Sequence, residues 1–374
     1  MASLYIHIPF CKQACNYCNF HFSTQTQYAA EMVNAICYEM HLRKNELNNQ
    51  PLTSIYIGGG TPTILSNDLL MLLFAGIYKY FEVNEDAEIT IEANPDDVTI
   101  DKLKAIKQTP VNRFSMGVQS FFDEDLIWMN RAHKSHEAMD SIKLIQDFGF
   151  EKISIDLIYG GPTLSNQNWI KNLGKINELN LHHVSAYCLT AEVKTALQHQ
   201  INKGKLPALD EEKAAEQFEL MIKYLGNYGF EQYEISNFAR NKQYAIHNTS
   251  YWQNKPYLGI GPSAHSFNGE QRSWNIANNQ KYMKQILQHI LPNEVEVLTP
   301  ENRINEYIMT GLRTIWGCNW HEITTRFGKE YAELLHKKLM PFVTQQKIEN
   351  NNDHFKLTPK ARILADGIAS DLFF

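Results

Sequence analysis

Short β-type runs alternate with helix-patterned stretches over the first half of the chain, and no other feature restricts the possible folds as strongly. Strands are expected at residues 3–8, 54–57, 88–92, 112–118, 152–158 and 183–189. The principal helices between them are expected at 28–44, 68–81, 133–148 and 167–179. Repeated βα units require a parallel sheet covered by helices, either an open doubly wound sheet or a partial barrel. In both, ligands collect at the carboxyl ends of the strands. The informative residues fall at those ends: Pro9-Phe10-Cys11, Gly58-Gly59-Gly60, Asn94-Pro95-Asp96 and Gly160-Gly161-Pro162.

Beyond the repeats a long helix is expected at 210–228 and a strand at 231–235, followed by an aromatic, glycine-rich stretch at 247–267. After residue 300 the pattern changes to helices at 301–314 and 329–339, a hairpin at 347–357 turning at Asn350-Asn351-Asn352-Asp353, and a last helix near Pro359. Helices with a hairpin resemble a winged helix. Residues 301–374 carry ten Lys/Arg against nine Asp/Glu, and the whole chain has a formal charge of -6, so the basic footprint of a nucleic-acid binder is missing. A docking or lid domain is expected instead. The longest apolar run, 69–78, is about half of a bilayer span, so no transmembrane segment is expected. The first residues run straight into a strand pattern without a basic or apolar leader, which points to the cytoplasm.

Six cysteines are too few to staple 374 residues, yet three of them crowd into the loop after the first strand as Cys11-x3-Cys15-x2-Cys18. This spacing lets three thiolates aim at one centre. A structural zinc would need a fourth ligand, for which His21 or His7 is available. An iron-sulfur cluster held by three thiolates would keep one iron open to a ligand. Cys37, Cys188 and Cys318 are isolated and read as packing residues.

With Tyr17 between its second and third cysteines, the motif resembles that of the radical S-adenosylmethionine (SAM) enzymes, whose C-x3-C-x2-C follows the first strand of a partial (β/α)6 barrel. The resemblance implies a 4Fe-4S cluster on Cys11, Cys15 and Cys18. Its open iron would chelate SAM, and reduction would cleave SAM to methionine and a 5'-deoxyadenosyl radical. Gly58-Gly59-Gly60-Thr61-Pro62-Thr63 is similar to the family's glycine motif. By the same resemblance Tyr5, Tyr17, Gly59, Gly60, Thr61, Glu92, Gln119, Arg131 and Asp156 contact SAM, with carboxylates facing its ammonium and Arg131 its carboxylate.

Within the superfamily, Tyr5-Ile6-His7-Ile8-Pro9-Phe10-Cys11 and Leu357-Thr358-Pro359-Lys360-Ala361-Arg362 resemble the oxygen-independent coproporphyrinogen III oxidases and their relatives, the HemW haem chaperones. The decarboxylating oxidases carry a fourth cysteine two positions after the third and a longer N-terminal arm. Phe20 occupies that position here. His247-Asn248-Thr249-Ser250-Tyr251-Trp252 matches the H-N-x-x-Y-W motif of the chaperones. The resemblance implies an α/β fold, a partial (β/α)6 radical-SAM barrel with a C-terminal helical, winged-helix-like domain. Its expected divisions are a barrel at 1–215, an extension at 216–299 and the C-terminal domain at 300–374. The implied function is a haem chaperone with a 4Fe-4S cluster, SAM and haem, the last held at His247, with His265 in reserve. Expected partners are haem, apo-haemoproteins, including respiratory ones at the membrane surface, and an electron donor for the cluster. The expected location is the cytoplasm, extending to the inner face of the membrane. Porphyrinogen decarboxylation is the alternative.

Overall fold

In the computed structural model, which describes residues 2–374, the repeats form six parallel strands: β1 (Ala2–Ile8), β2 (Leu52–Gly59), β3 (Val83–Ala93), β4 (Arg113–Gln119), β5 (Lys152–Tyr159) and β6 (His183–Cys188). Helices α1 (Ala29–Arg43), α2 (Asn67–Tyr80), α3 (Ile100–Ile106), α4 (Asp123–Trp128), α5 (Ser135–Asp147) and α6 (Asn166–Glu178) fill the connections. Ile55, Ile57, Ile89, Ile91, Phe114, Ile153 and Ile155 are all buried, as parallel strands covered by helices require.

The strands lie side by side in chain order, β1 to β6, without the reversal that defines a doubly wound sheet. This resolves the choice left open by the sequence in favour of a partial barrel. Closure is prevented because the outer edges of β1 and β6 are already taken: β9 (Tyr257–Ile260) pairs parallel with β1, and β8 (Asn237–Ala239) pairs antiparallel with β6. The sheet continues from β8 to β7 (Glu231–Glu234), and from β9 through β10 (His265–Phe267) and β11 (Gln271–Asn275) to β12 (Asn293–Val297), giving twelve strands. Helices α7 (Ala196–Asn202), α8 (Glu211–Asn227), α9 (Ile246–Trp252) and α10 (Asn279–Leu287) connect these outer parts.

A second apolar core begins at Ile304 in α11 (Pro300–Leu312) and includes Ile308, Leu335, Leu339, Phe355 and Leu372. It is enclosed by α12 (Trp320–Phe327), α13 (Lys329–Thr344), α14 (Ala365–Leu372) and a three-stranded antiparallel sheet, β13 (Cys318–Asn319), β14 (Ile348–Asn350) and β15 (His354–Leu357). The hairpin and the helices are the expected winged-helix arrangement. Two details differ from the sequence reading. Helix α13 continues through Pro341 to Thr344 rather than stopping near Leu339; the proline forgoes its own bond to the preceding turn, and the last turn is still closed by Gln345 N–H on Pro341 O (3.1 Å). The final helix is preceded by a 3-10 turn, Pro359–Leu364.

Candidate functional site

The loop that leaves β1 is closed on itself and clamped from outside. Ser23 N–H donates to Pro9 O (2.9 Å) and Cys11 N–H to Ser23 O (3.1 Å). Asn16 N–H donates to Met129 O (3.1 Å), Asn130 Nδ2 to Ala14 O (2.7 Å), and Lys12 pairs with Asp96 (2.9 Å) and Asp97. Backbone groups that would otherwise need water are thus satisfied by neighbouring strand ends, which fixes where the three thiols point. Cys11, Cys15 and Cys18 all line one cavity of about 160 Å³.

Around that cavity stand Tyr17, Gly59, Gly60, Thr61, Glu92, Gln119, Arg131 and Asp156, all of them expected SAM contacts. Thr61 Oγ1 lies 3.8 Å from Cys11 Sγ, and Arg131 Nη1 donates to Cys15 Sγ at 3.2 Å. Arg131 Nη2 donates to Asn94 Oδ1 and Gly117 O, both at 2.6 Å, while Nε is buried without a hydrogen-bond partner among the described residues. An unpaired buried donor on a fixed guanidinium beside a cavity suits an anionic group such as a carboxylate. Glu92 accepts from Tyr56 OH (2.7 Å) and Gly59 N–H (2.9 Å), and burial pushes its carboxyl up to about 7. Burial likewise raises Asp156 to about 6. Gln119 holds a left-handed backbone (φ 67°) at the end of β4, a conformation uncommon outside glycine that turns its side chain toward the cavity.

The glycines serve the protein's own packing first. Gly60 N–H donates to Ile8 O (2.9 Å), and a Cβ there would overlap the Phe10 carbonyl; at Gly59 (φ 103°) it would overlap the His7 ring. A valine at either position therefore displaces the cysteine loop before it meets any ligand.

Burial pushes the Cys11 thiol up to about 12 and raises Cys18. Without metal both stay protonated at neutral pH, and ligation must release those protons. The two histidines offered as zinc ligands are engaged elsewhere: His7 bonds Tyr5 OH (2.9 Å) and His21 O (2.8 Å), and His21 Nε2 bonds Asn279 (2.7 Å). Three thiols lining one cavity, with two carboxyls and a guanidinium beside them, suit an iron-sulfur cluster with SAM next to it. The cluster would be held by Cys11, Cys15 and Cys18 and would supply one-electron reduction.

Tyr5 and His247 are placed differently. Tyr5 lines another cavity, of about 530 Å³, between β9–β11 and α11. His247 is buried, and both ring nitrogens are occupied, Nδ1 on Ser54 Oγ (2.9 Å) and Nε2 on Tyr251 OH (2.8 Å), with the ring 5.1 Å from Tyr56. As a haem ligand it would have to surrender Ser54 or Tyr251. The motif's helix α9 is instead held by buried Glu88, whose carboxylate accepts the N–H groups of Ile246 (3.1 Å) and His247 (3.0 Å). A third cavity, about 340 Å³, adjoins the thiols and shares Tyr17, Cys18, Phe20, Glu92, Gln119 and Asp156 with them. Sequence reasoning named Asn94 among the strand-end residues but gave it no role; it joins Thr61 (2.8 Å) to Arg131. Tyr56, on Glu92, was overlooked.

Fold, loop and cavity define a class, the radical SAM proteins. A family model described as the radical SAM superfamily matches residues 5–175, and one described as the HemN C-terminal domain matches 298–364. The heme chaperone HemW of Bacillus subtilis (strain 168) is 34% identical over 371 residues, 98% of either chain, and that of Lactococcus lactis subsp. lactis is 31% identical over 366 residues, covering 98% of this chain and 96% of its own. The solved coproporphyrinogen III oxidase HemN from Escherichia coli superposes with a TM-score of 0.86 at 24% identity, covering 100% of this chain and 90% of that one. The chain belongs to the HemW-like group of the radical SAM superfamily, with a HemN C-terminal domain.

Proposed function

We propose that the protein is a haem chaperone, which holds a 4Fe-4S cluster and SAM at the strand ends, binds haem, and delivers it to apo-haemoproteins. Supporting this reading over porphyrinogen decarboxylation is Phe20. It stands where the oxidases carry their extra cysteine, is 68% exposed, and forms part of all three cavities around the loop. An apolar ring at that junction suits retention of a flat macrocycle. The likeness to HemN in fold is what favours the alternative. We take 1–215, 216–299 and 300–374 as the working units, and a separate protein as the electron donor. No helix among the described residues is long and apolar enough to cross a membrane. Respiratory proteins at the membrane surface are included among the acceptors. The deciding experiment is anaerobic incubation of reconstituted protein with coproporphyrinogen III, SAM and a reductant, beside a haem titration. Haem uptake near one equivalent, transfer to an apo-haemoprotein and absence of protoporphyrinogen are expected; turnover to protoporphyrinogen overturns the reading.

The SAM site carries a pH signature. Glu92, raised to about 7, holds SAM's amino group far more strongly when ionised, so affinity falls as pH drops through that value. Between pH 8 and pH 6 the dissociation constant should rise about tenfold. Titration calorimetry at both pH values tests this: Glu92→Gln should bind weakly with a flattened profile, and an unchanged profile in that variant removes Glu92 from the site.

A further inference from the structure

We propose that haem seats in the cavity between β9–β11 and α11, with His265 ligating iron and Arg272 receiving a propionate. This inference rests on the chaperone reading and assigns it a place. The cavity measures about 530 Å³, within the usual range for ligand pockets of roughly 300–1,000 Å³. Five of its walls are aromatic: Tyr5, Phe20, Tyr251, Tyr257 and Phe267. Tyr257 packs edge-on to Tyr251 at 4.6 Å and tilts against Phe267 at 6.4 Å, so the apolar surface is continuous, as a macrocycle needs.

The histidines separate clearly. His7 has both ring nitrogens occupied, His21, which also lines the cavity, commits its Nε2–H to Asn279 Oδ1, and His247 is turned into its serine and tyrosine network. His265 lines the cavity, is exposed, and its ring nitrogens carry no hydrogen bond among the described residues. Its ring stacks on Trp274, its partner across the β10–β11 ladder, at 6.0 Å and 30°. The ladder therefore sets its orientation without consuming a lone pair. Partial desolvation of the ring, then Arg272, hold it below the usual histidine range, which favours the neutral imidazole that can ligate.

The approach to His265 is rigid. Ser263 has a left-handed backbone (φ 63°), kept in place by Ser263 N–H to Ile276 O (3.2 Å), Ala264 N–H to Gly261 O (3.2 Å) and Asn275 N–H to Ala264 O (2.9 Å). Strain of this kind persists where surrounding contacts overdetermine the loop, and it gathers at ligand sites. Arg272 pairs with Glu306 of α11 at 2.7 Å and is 40% exposed, leaving donors of its fork free for a carboxylate. Phe20 forms a wall of both this cavity and the thiol cavity, which places the haem next to the cluster loop.

The test titrates ferric haem into reconstituted full-length protein, following the Soret band and electron paramagnetic resonance, with His265→Ala, His265→Met and Thr310→Trp, the last filling the cavity from α11. Expected are at least tenfold weaker binding in His265→Ala and Thr310→Trp, and a shifted Soret band with altered spin state in His265→Met, while cluster absorbance is unchanged in all three. If the wild type binds haem and the three variants keep its affinity and spectrum, the seat is refuted and the chaperone reading stands. If the wild type takes up no haem, both fall.

Discussion

Replacing Cys11, Cys15 or Cys18 with alanine will lower iron from about four atoms per chain to near zero after anaerobic reconstitution and abolish the broad visible absorption of a 4Fe-4S cluster. Each thiol lines the same cavity, and the loop that carries them is tied at Ser23, Met129 and Asp96. Cys188, at the end of β6, lines the adjoining cavity and not this one. Cys318 is buried in the C-terminal core with Sγ against Tyr307 O (3.6 Å), and Cys37 packs beside Leu72 and Gly76. Cys37→Ala should therefore retain the full cluster. A triple variant that keeps the spectrum would sink the assignment. His21→Ala serves as the zinc control: iron content should not change, since His21 is committed to Asn279, and a zinc-loaded protein that loses its metal in this variant would restore the structural-site alternative.

Glu39→Ala should cost about 3–5 kcal/mol of unfolding free energy, the largest loss expected from one substitution outside the cysteine loop. Glu39 is fully buried in α1 and has no solvent to fall back on. One oxygen accepts from Arg43 Nη1 (3.1 Å) and Asn275 Nδ2 (2.7 Å), and the other from Gly261 N–H (2.8 Å) and Tyr282 OH. Arg43 in turn reaches Gly259 O (2.8 Å), Ser266 Oγ (3.2 Å) and both oxygens of Glu46. Removing the carboxylate leaves the buried Gly261 N–H and Tyr282 OH without their acceptor and takes one acceptor each from Asn275 and from Arg43, which keeps Glu46, whereas replacing a paired ion at the surface costs little. The same change loosens the 261–265 approach to His265. Equilibrium denaturation in urea gives the measurement, and a loss under about 1 kcal/mol would mean that water reaches the hub.

The barrel was legible because its strands are short, apolar and β-branched, and because each ends in residues with a chemical reason to be there: cysteines, glycines, then Glu92, Gln119 and Asp156. The outer sheet was not. Strand β11 reads Gln-Arg-Ser-Trp-Asn and is largely half-buried, and β12 reads Asn-Glu-Val-Glu-Val and is mostly exposed, so neither has an alternating apolar face and their extended state comes from antiparallel pairing. Helix α9 has seven residues and depends on a carboxylate more than 150 positions earlier, Glu88, which no local pattern announces. His247 was legible as a motif residue but not in its orientation. That orientation follows from Ser54 and Tyr251, and Ser54 lies on a strand remote from it in sequence.

The position of β1 between β2 and β9 has a consequence for synthesis on the ribosome. One edge of β1 can pair once residues 52–59 emerge, but the other waits for Tyr257–Ile260. At about 5–20 residues per second that interval lasts on the order of ten seconds or more. During it the strand that aims the cysteine loop has an unpaired edge, and the partner that later closes it also leads into the β9–β10 turn and His265. Delivery of iron and sulfide to the nascent chain would therefore meet a loop whose supporting strand is only half paired, and the last third of translation both completes the cluster's support and builds the wall that carries His265.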